Sequence, residues 1–332
     1  MKLSDLHYLP NSPSDKKGWP WYFECPIPLE QKPSGHYWPK ICIVTPSFNQ
    51  AQYLEETIRS VLLQGYPNLE YMVIDGGSTD GSVEIIKKYA PWLTYWVSEP
   101  DRGQSHAINK GFSRSTGEIM AWINSDDYYD KGAFYEIVQA FDQNPNSIWI
   151  AGKCSFILDN NEITDGWAKP RNDIVNWFTG PLVMQPGVFW KSWIWKQVKG
   201  VDEEMNYSFD YDLWMKYVEY QPFPTWIEKN LAFFRKHGES KSIKSKSKFM
   251  MENEIIYKRY MGKYLKTPHQ RILLWKLRKD RSAFKSINRE TITHLPLRSG
   301  LSNFLKAISI APWIILKKSY YGRLLRYLRI RD

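Results

Sequence analysis

The segment Asn124-Ser125-Asp126-Asp127 sets two adjacent carboxylates directly behind an apolar run, Ile119-Met120-Ala121-Trp122-Ile123. Carboxylates at the end of a buried strand are costly unless a cation neutralises them. A hard divalent ion carrying a phosphate ligand is a common reason to accept that cost. A second acidic strand end, Ile74-Asp75-Gly76-Gly77-Ser78-Thr79-Asp80, lies upstream. Together the two segments suggest a nucleotide-diphosphate site. Gly76-Gly77 permits close backbone approach or positive φ. Neither a Gly-x-Gly-x-x-Gly fingerprint nor a Gly-Lys-Ser/Thr loop is present, so a dinucleotide or Walker-type site is excluded.

Positioning such groups requires strand ends that converge. The pattern predicts strands over 41–44, 69–74, 93–97 and 119–123, alternating with helices over 50–64, 82–89 and 104–114. That alternation implies βαβ units and a largely parallel sheet, with ligands at the carboxyl ends of the strands. Asp75, Asp101 and the 124–127 cluster all fall on that edge. Further on, the sequence predicts a helix over 132–143, strands over 147–151 and 154–158, a helix-like segment over 210–220 and a last strand over 231–235. Residues 1–39 are rich in proline and aromatics and read as an extended arm packed on the body. Residues 40–240 read as the main domain, its regular alternation running to 130 and a looser half following. Residues 241–332 form a basic helical tail that opens with a mobile Ser/Lys-rich loop at 241–248.

The 332 residues suffice for a substantial core, and 43% are apolar. The aromatic content is high, with 16 Trp, 21 Tyr and 15 Phe. These residues suit sugar stacking and membrane interfaces as well as a packed core. Cys25, Cys42 and Cys154 lack zinc-site or disulfide spacing and read as reduced thiols. No signal peptide and no membrane-spanning run is apparent, which suggests a cytoplasmic protein. The net charge of +10 is uneven: residues 241–332 carry 23 Lys+Arg against 5 Asp+Glu, leaving 22 against 30 in the rest. Nucleic-acid binding is not indicated, because no basic-aromatic platform appears.

Four ordered segments carry a resemblance: 43–49 (Ile-Val-Thr-Pro-Ser-Phe-Asn), 73–81, 98–111 (beginning Ser-Glu-Pro-Asp-Arg-Gly-Gln-Ser) and 124–127. The stretch from Ile41 to Asp127 closely resembles the family-2 glycosyltransferases, whose nucleotide-binding fold is called GT-A, and the likeness continues to about Ser242. The resemblance implies an α/β, doubly wound GT-A fold and a metal-dependent, inverting sugar transfer. The donor would be a nucleotide-diphosphate sugar, UDP-sugar being favoured, and the acceptor a glycan or lipid-linked hydroxyl in surface-polysaccharide assembly. It implies that Thr45, Pro46 and Ser47, with Asn49, line the nucleotide. Asp75 would meet an imino N–H of the base, or else cap the Gly-Gly turn. Asp101 and Arg102 stand at the rim, facing donor phosphate or sugar, or solvent.

Asp127 is the expected ligand for Mn²⁺ or Mg²⁺, with Asp126 facing the ribose or donor sugar; the alternative is a helix N-cap pair. Asn124 stands where the family often has Asp. His237 matches a histidine near the diphosphate, with a metal or phosphate role set against a surface one. Asp210 matches the catalytic base, Phe209 replacing its usual acidic neighbour. Asp212 points about 200° away and is the alternative on the acceptor side. Gln185 and Trp190 match an acceptor segment, where Trp190 stacks on a sugar or packs in the core.

In the tail, Ala307–Leu316 is apolar but interrupted by Pro312, and Arg323, Arg326 and Arg329 recur beside Leu324, Leu325 and Leu328. This predicts an amphipathic helix on an anionic membrane surface, or one packed on the body. A nucleotidyltransferase is disfavoured, since residues 45–49 lack the required Gly-rich, Arg/Lys-bearing loop. A catalytically silent nucleotide-sugar-binding or scaffold subunit is the remaining alternative.

Overall fold

The computed structural model describes residues 8–22, 37–166, 172–286, 297–312, 316 and 324. The first half alternates as expected: β1 (Ile41–Ser47), α1 (Ala51–Leu62), β2 (Leu69–Asp75), α2 (Ser82–Tyr89), β3 (Tyr95–Ser98), α3 (Gln104–Phe112) and β4 (Ile119–Trp122). It continues through β5 (Tyr128–Tyr129), α4 (Ala133–Gln143), β6 (Trp149–Ile157), β7 (Ile163–Thr164), β8 (Val188–Lys191), α5 (Ser192–Val198), α6 (Phe209–Tyr217), β9 (Thr225–Arg235), α7 (Lys241–Lys244) and α8 (Lys246–Tyr264). Strands β3, β2, β1 and β4 are parallel neighbours. The sheet then passes to β8, β6, β9 and β5, with β4–β8, β8–β6 and β9–β5 antiparallel and β6–β9 parallel.

β1 and β2 are buried along their whole length, as strands covered on both faces must be. Helix α3 reaches them because Gly111 has no side chain: a Cβ there would stand 2.6 Å from Val44. The two strands expected over 147–151 and 154–158 are one, β6. A register shift around Gly152–Cys154 against β9 accommodates the residues between them. The loop expected at 241–248 is α7 and the first turn of α8.

The tryptophans of this region are mostly core. Trp122 stacks on Trp214 at 5.8 Å and 8°, Trp149 on Trp214 at 5.6 Å, and Trp190 on Trp195 at 5.8 Å. Burying rings of this size supplies much of the apolar transfer energy. Cys42 and Cys154 are buried free thiols, both pushed up by burial, whereas Cys25 lies outside the described residues. The stretch from Pro10 to Trp21 of the N-terminal arm is tied to Arg59. The buried Arg59 guanidinium donates to the carbonyls of Pro10, Pro20 and Trp21 at 2.9–3.1 Å, and Trp19 Nε1 donates to the Tyr129 carbonyl at 2.8 Å.

Two compact units are present. The first comprises residues 1–172 and 181–257, so it extends beyond residue 240; the second comprises 173–180 and 258–332. In the second unit α9 (Pro268–Ser286) and α10 (Leu297–Ile310) bury Ala283, Phe304, Ala307 and Ala311 together, with Leu324 packed against them. The apolar segment beginning at Ala307 is therefore partly engaged with α9. Arg323, Arg326 and Arg329 lie outside the described residues. Among the described residues no helix is long and apolar enough to cross a membrane.

Candidate active site

The carboxyl ends of β1, β2 and β4 open on one edge, and the loops there are tied to each other. Asn49, at φ 51°, accepts from Thr79 N–H at 2.9 Å while its own N–H donates to Ser78 Oγ at 2.7 Å. Asp80 accepts from Ala51 N–H at 2.9 Å, capping α1 from the neighbouring loop, and from Ser82 N–H and Oγ. Its partial burial opposes ionisation, but these hydrogen bonds prevail and hold it below the usual carboxylate range.

Asp75 is fully buried, and its oxygens receive Gly77 N–H, Ser78 N–H, Ser78 Oγ and Ser98 Oγ at 2.6–3.1 Å. It closes the turn and presents no surface to a base, contrary to the base-reading expectation. Gly77 turns at φ 87°, a conformation that favours glycine. Thr45 is likewise sealed, its Oγ1 3.0 Å from Tyr71 Oη. Pro46 is buried, and Ser47 keeps a buried Oγ with no partner among the described residues. Asp101 holds Gly103 N–H at 2.7 Å and lies against Gly76, where a Cβ would come within 2.9 Å of its Oδ2. Arg102 is exposed and pairs with Glu203.

The carboxylate cluster is resolved by the chain's return along β9. Asp127 is buried: Oδ1 accepts from Arg235 N–H at 2.9 Å and Oδ2 from Asn124 Nδ2 at 3.2 Å. Burial, then the neighbouring Asp126, pushes its carboxyl well above the usual range. Asp127 is thus an internal brace, and the expectation that it is the metal ligand is corrected. Asp126 is the outward member, its Oδ2 lying 3.0 Å from His237 Nε2. Asn124 is explained by its two bonds: its carbonyl accepts from Gln104 Nε2 at 2.6 Å while its amide donates to Asp127. An aspartate there could not, when ionised, make the second bond. Gln104 in turn accepts from Lys241 Nζ at 3.1 Å, which fixes the orientation of both amides. Crowding lowers the Lys241 ammonium from its ordinary value, opposed by Tyr207, Asp126, Asp101 and Glu252.

Arg235 was not anticipated as a site residue. Its Nε donates to the Asp126 carbonyl at 3.1 Å, its Nη2 meets Glu56 at 2.7 Å, and its guanidinium lies 4.8 Å from the Tyr53 ring. An arginine closing the apolar run Leu231–Phe234 was the available signal. Gln104 lies in the 98–111 segment that carries the resemblance but was not singled out there, and Lys241 carried no signal, since single polar residues on helices usually face solvent.

On the acceptor side, Asp210 stands in the first turn of α6, and burial pushes its carboxyl up to about 6, with Glu252 adding to the rise. The loop before it borders the 101–104 turn: Glu203 meets Arg102 and Asn109, and Asn206 Oδ1 lies 3.4 Å from a Cβ placed on Gly103. Gln185 donates to the Trp122 carbonyl at 2.8 Å, while its buried Oε1 has no partner among the described residues. Buried polar atoms rarely stay unpaired without a ligand or water to meet them. Two acceptor expectations are corrected. Trp190 is fully buried between Trp122 and Trp195 and cannot stack on a sugar. Asp212 is fully buried and ion-paired with Lys216 at 3.1 Å.

A divalent ion fits Asp126 and His237. A carboxylate oxygen and an imidazole nitrogen, here 3.0 Å apart, are donors of the type a divalent ion accepts. Among the described residues no three His, Cys, Asp or Glu side chains form a cage. An ion held by two protein donors would take its remaining ligands from phosphate and water.

Parts of the chain are similar to known proteins. An uncharacterised glycosyltransferase of Nostoc sp. is 29% identical over 154 residues, 46% of this chain and 47% of its own length. The Bacillus subtilis protein TuaG, provisionally named a teichuronic acid biosynthesis glycosyltransferase, is 34% identical over 96 residues, 28% of this chain and 38% of its own. The chain spans about half the length of the curated relatives it matches. The structure of S. aureus TarS 1–349 in complex with UDP-GlcNAc superposes with a TM-score of 0.58 at 18% identity, covering 82% of each chain, and so shares the fold. Residues 42–190, from β1 into β8, match the family model of glycosyl transferase family 2.

Proposed function

We propose that the protein transfers a sugar from a nucleotide-diphosphate donor, UDP-sugar being favoured, to a hydroxyl of a glycan or lipid-linked acceptor in surface-polysaccharide assembly, with inversion. The observation that carries this reading is the Asp126–His237 pair, joined across 111 residues at the carboxyl edge of the sheet. Asp126 and His237 would hold Mn²⁺ or Mg²⁺, which when bound would supply charge stabilisation to the departing diphosphate. Ser47, Asp101 and Lys241 border the donor, and the Oε1 of Gln185 is available to an acceptor hydroxyl.

Asp210 removes the proton from the acceptor hydroxyl. The oxygen then attacks the anomeric carbon as the bond to the diphosphate breaks, and the nucleoside diphosphate leaves with the bonding pair. One displacement without a covalent intermediate inverts the centre. A base near 6 is ionised at neutral pH and still strong enough to take the proton.

Peripheral association with an anionic membrane rests on the second unit. Ile272 and Trp275 on α9 are 56% and 51% exposed, and Arg271 and Lys276 lie beside them. An exposed Trp flanked by cations suits a headgroup layer.

The test is calorimetry of UDP binding with and without Mn²⁺, together with hydrolysis of UDP-sugars. Wild type should bind more tightly with Mn²⁺, and Asp126→Asn should lose that gain. Asp210→Asn should bind UDP normally yet turn over at least about a hundredfold more slowly. Metal-indifferent UDP binding, or an active Asp210→Asn, would overturn the reading.

A further inference from the structure

Glu252 lies on α8, outside the segment that matches the family profile, yet its carboxylate is aimed at the turn entering α6. Oε1 accepts from Asn206 N–H at 2.9 Å, and Oε2 accepts from Tyr207 and Ser208 N–H at 2.9 and 2.7 Å. Ser208 is the N-cap residue of α6 and Asn206 and Tyr207 precede it, so the helix's own carbonyls offer these three N–H groups no acceptor. A carboxylate there also complements the positive end of the helix dipole. A single side chain therefore fixes three consecutive amides directly ahead of Asp210.

We propose that Glu252 is the positioning residue for Asp210, clamping residues 206–208 so that the base is held at the acceptor side. This rests on the reading of Asp210 as base. The clamp also carries charge. Glu252 is the charged side chain whose field raises Asp210, acting with burial and against the N–H of Tyr211. Lys241 is a cation facing Glu252, and it is shared with Asp126 and Asp101. Geometry and field thus act in one direction: the base is placed and kept basic by the same carboxylate.

The experiment compares wild type with Glu252→Gln and Glu252→Asp, each selectively ¹³C-labelled at aspartate carboxyls, the Asp210 signal being identified by its loss in Asp210→Asn. Three readouts are taken: the Asp210 titration midpoint, amide exchange at residues 206–208, and turnover with a UDP-sugar beside UDP affinity. Glu252→Gln offers one oxygen to three donors and no charge. It should lower the midpoint, speed exchange at the three amides and reduce kcat by about tenfold to a hundredfold, leaving UDP affinity within about twofold. Glu252→Asp keeps the charge at a longer reach, so it should restore the midpoint while leaving exchange faster than wild type. A merely structural role predicts a lower unfolding temperature with the midpoint unmoved, and that result overturns the proposal. So does unchanged exchange in Glu252→Gln. Should Glu252→Gln not fold, wild-type exchange at all three amides in Glu252→Asp serves as the refuting result. If Asp210→Asn stays active, the base assignment fails, and exchange still decides whether Glu252 clamps the turn.

Discussion

Replacing Arg235 with methionine removes the charge around which the carboxylates of this edge are arranged and keeps an apolar stem against Tyr53. Arg235 and Glu56 approach to 2.7 Å with side chains only 11% and 20% exposed. At an effective dielectric of about 20 their gross attraction is about 6 kcal/mol. The loss cannot reach that figure, because Glu56 can escape by taking a proton. Burial already pushes its carboxyl up, and the Arg235 charge is the main force opposing this. Protonating a carboxylate of ordinary value at pH 7 costs about 3 kcal/mol, at about 1.4 kcal/mol per pH unit, so about 3 kcal/mol is the expected destabilisation at neutral pH.

The sign follows from proton binding. Without Arg235 the folded-state value of Glu56 lies further above its unfolded one, so the folded protein binds more protons. The deficit therefore grows as pH rises above the wild-type folded value, which burial already holds above the ordinary one, and is smallest at acid pH. Urea unfolding between pH 4 and 8 measures this, and scanning calorimetry should show a fall of about 6–12 °C at neutral pH. Glu56→Gln in the Arg235→Met background should recover most of the loss. A deficit under about 1 kcal/mol, or one independent of pH, or a double variant no better than the single, would refute the reasoning and class the pair with exposed ones.

Arg59→Met should release the N-terminal arm. Limited proteolysis before residue 22 should accelerate while β1 to β4 stay protected, because three carbonyl contacts are lost together. Gly76→Ala should push Asp101 off Gly103 N–H, since the new Cβ would lie 2.9 Å from Asp101 Oδ2. UDP affinity should fall while stability changes by less than about 1 kcal/mol, read by calorimetry and urea unfolding.

The alternation of apolar runs with helix-period segments was legible because each element of the first half carries its own signal. β1 to β4 and α1 to α4 lie within a few residues of their expected ranges. Where elements depend on partners, the sequence was less informative. The single strand β6 exists because β9 pairs along it through an irregular register, and α7 occupies a segment whose composition suggests a loop.

The sequence by itself determined that carboxylates would gather at the carboxyl ends of parallel strands, since strand ends and acidic residues are local features. Which carboxylate faces outward was decided only by tertiary structure. Asp126 and Asp127 are neighbours in sequence with opposite fates: β9 delivers the Arg235 N–H to one and His237 to the other. The same holds for Trp190, whose ring suits a sugar site but packs against Trp122 of β4 and Trp214 of α6. Burial and partner choice depend on how the chain returns over itself, and a short sequence segment does not record that return.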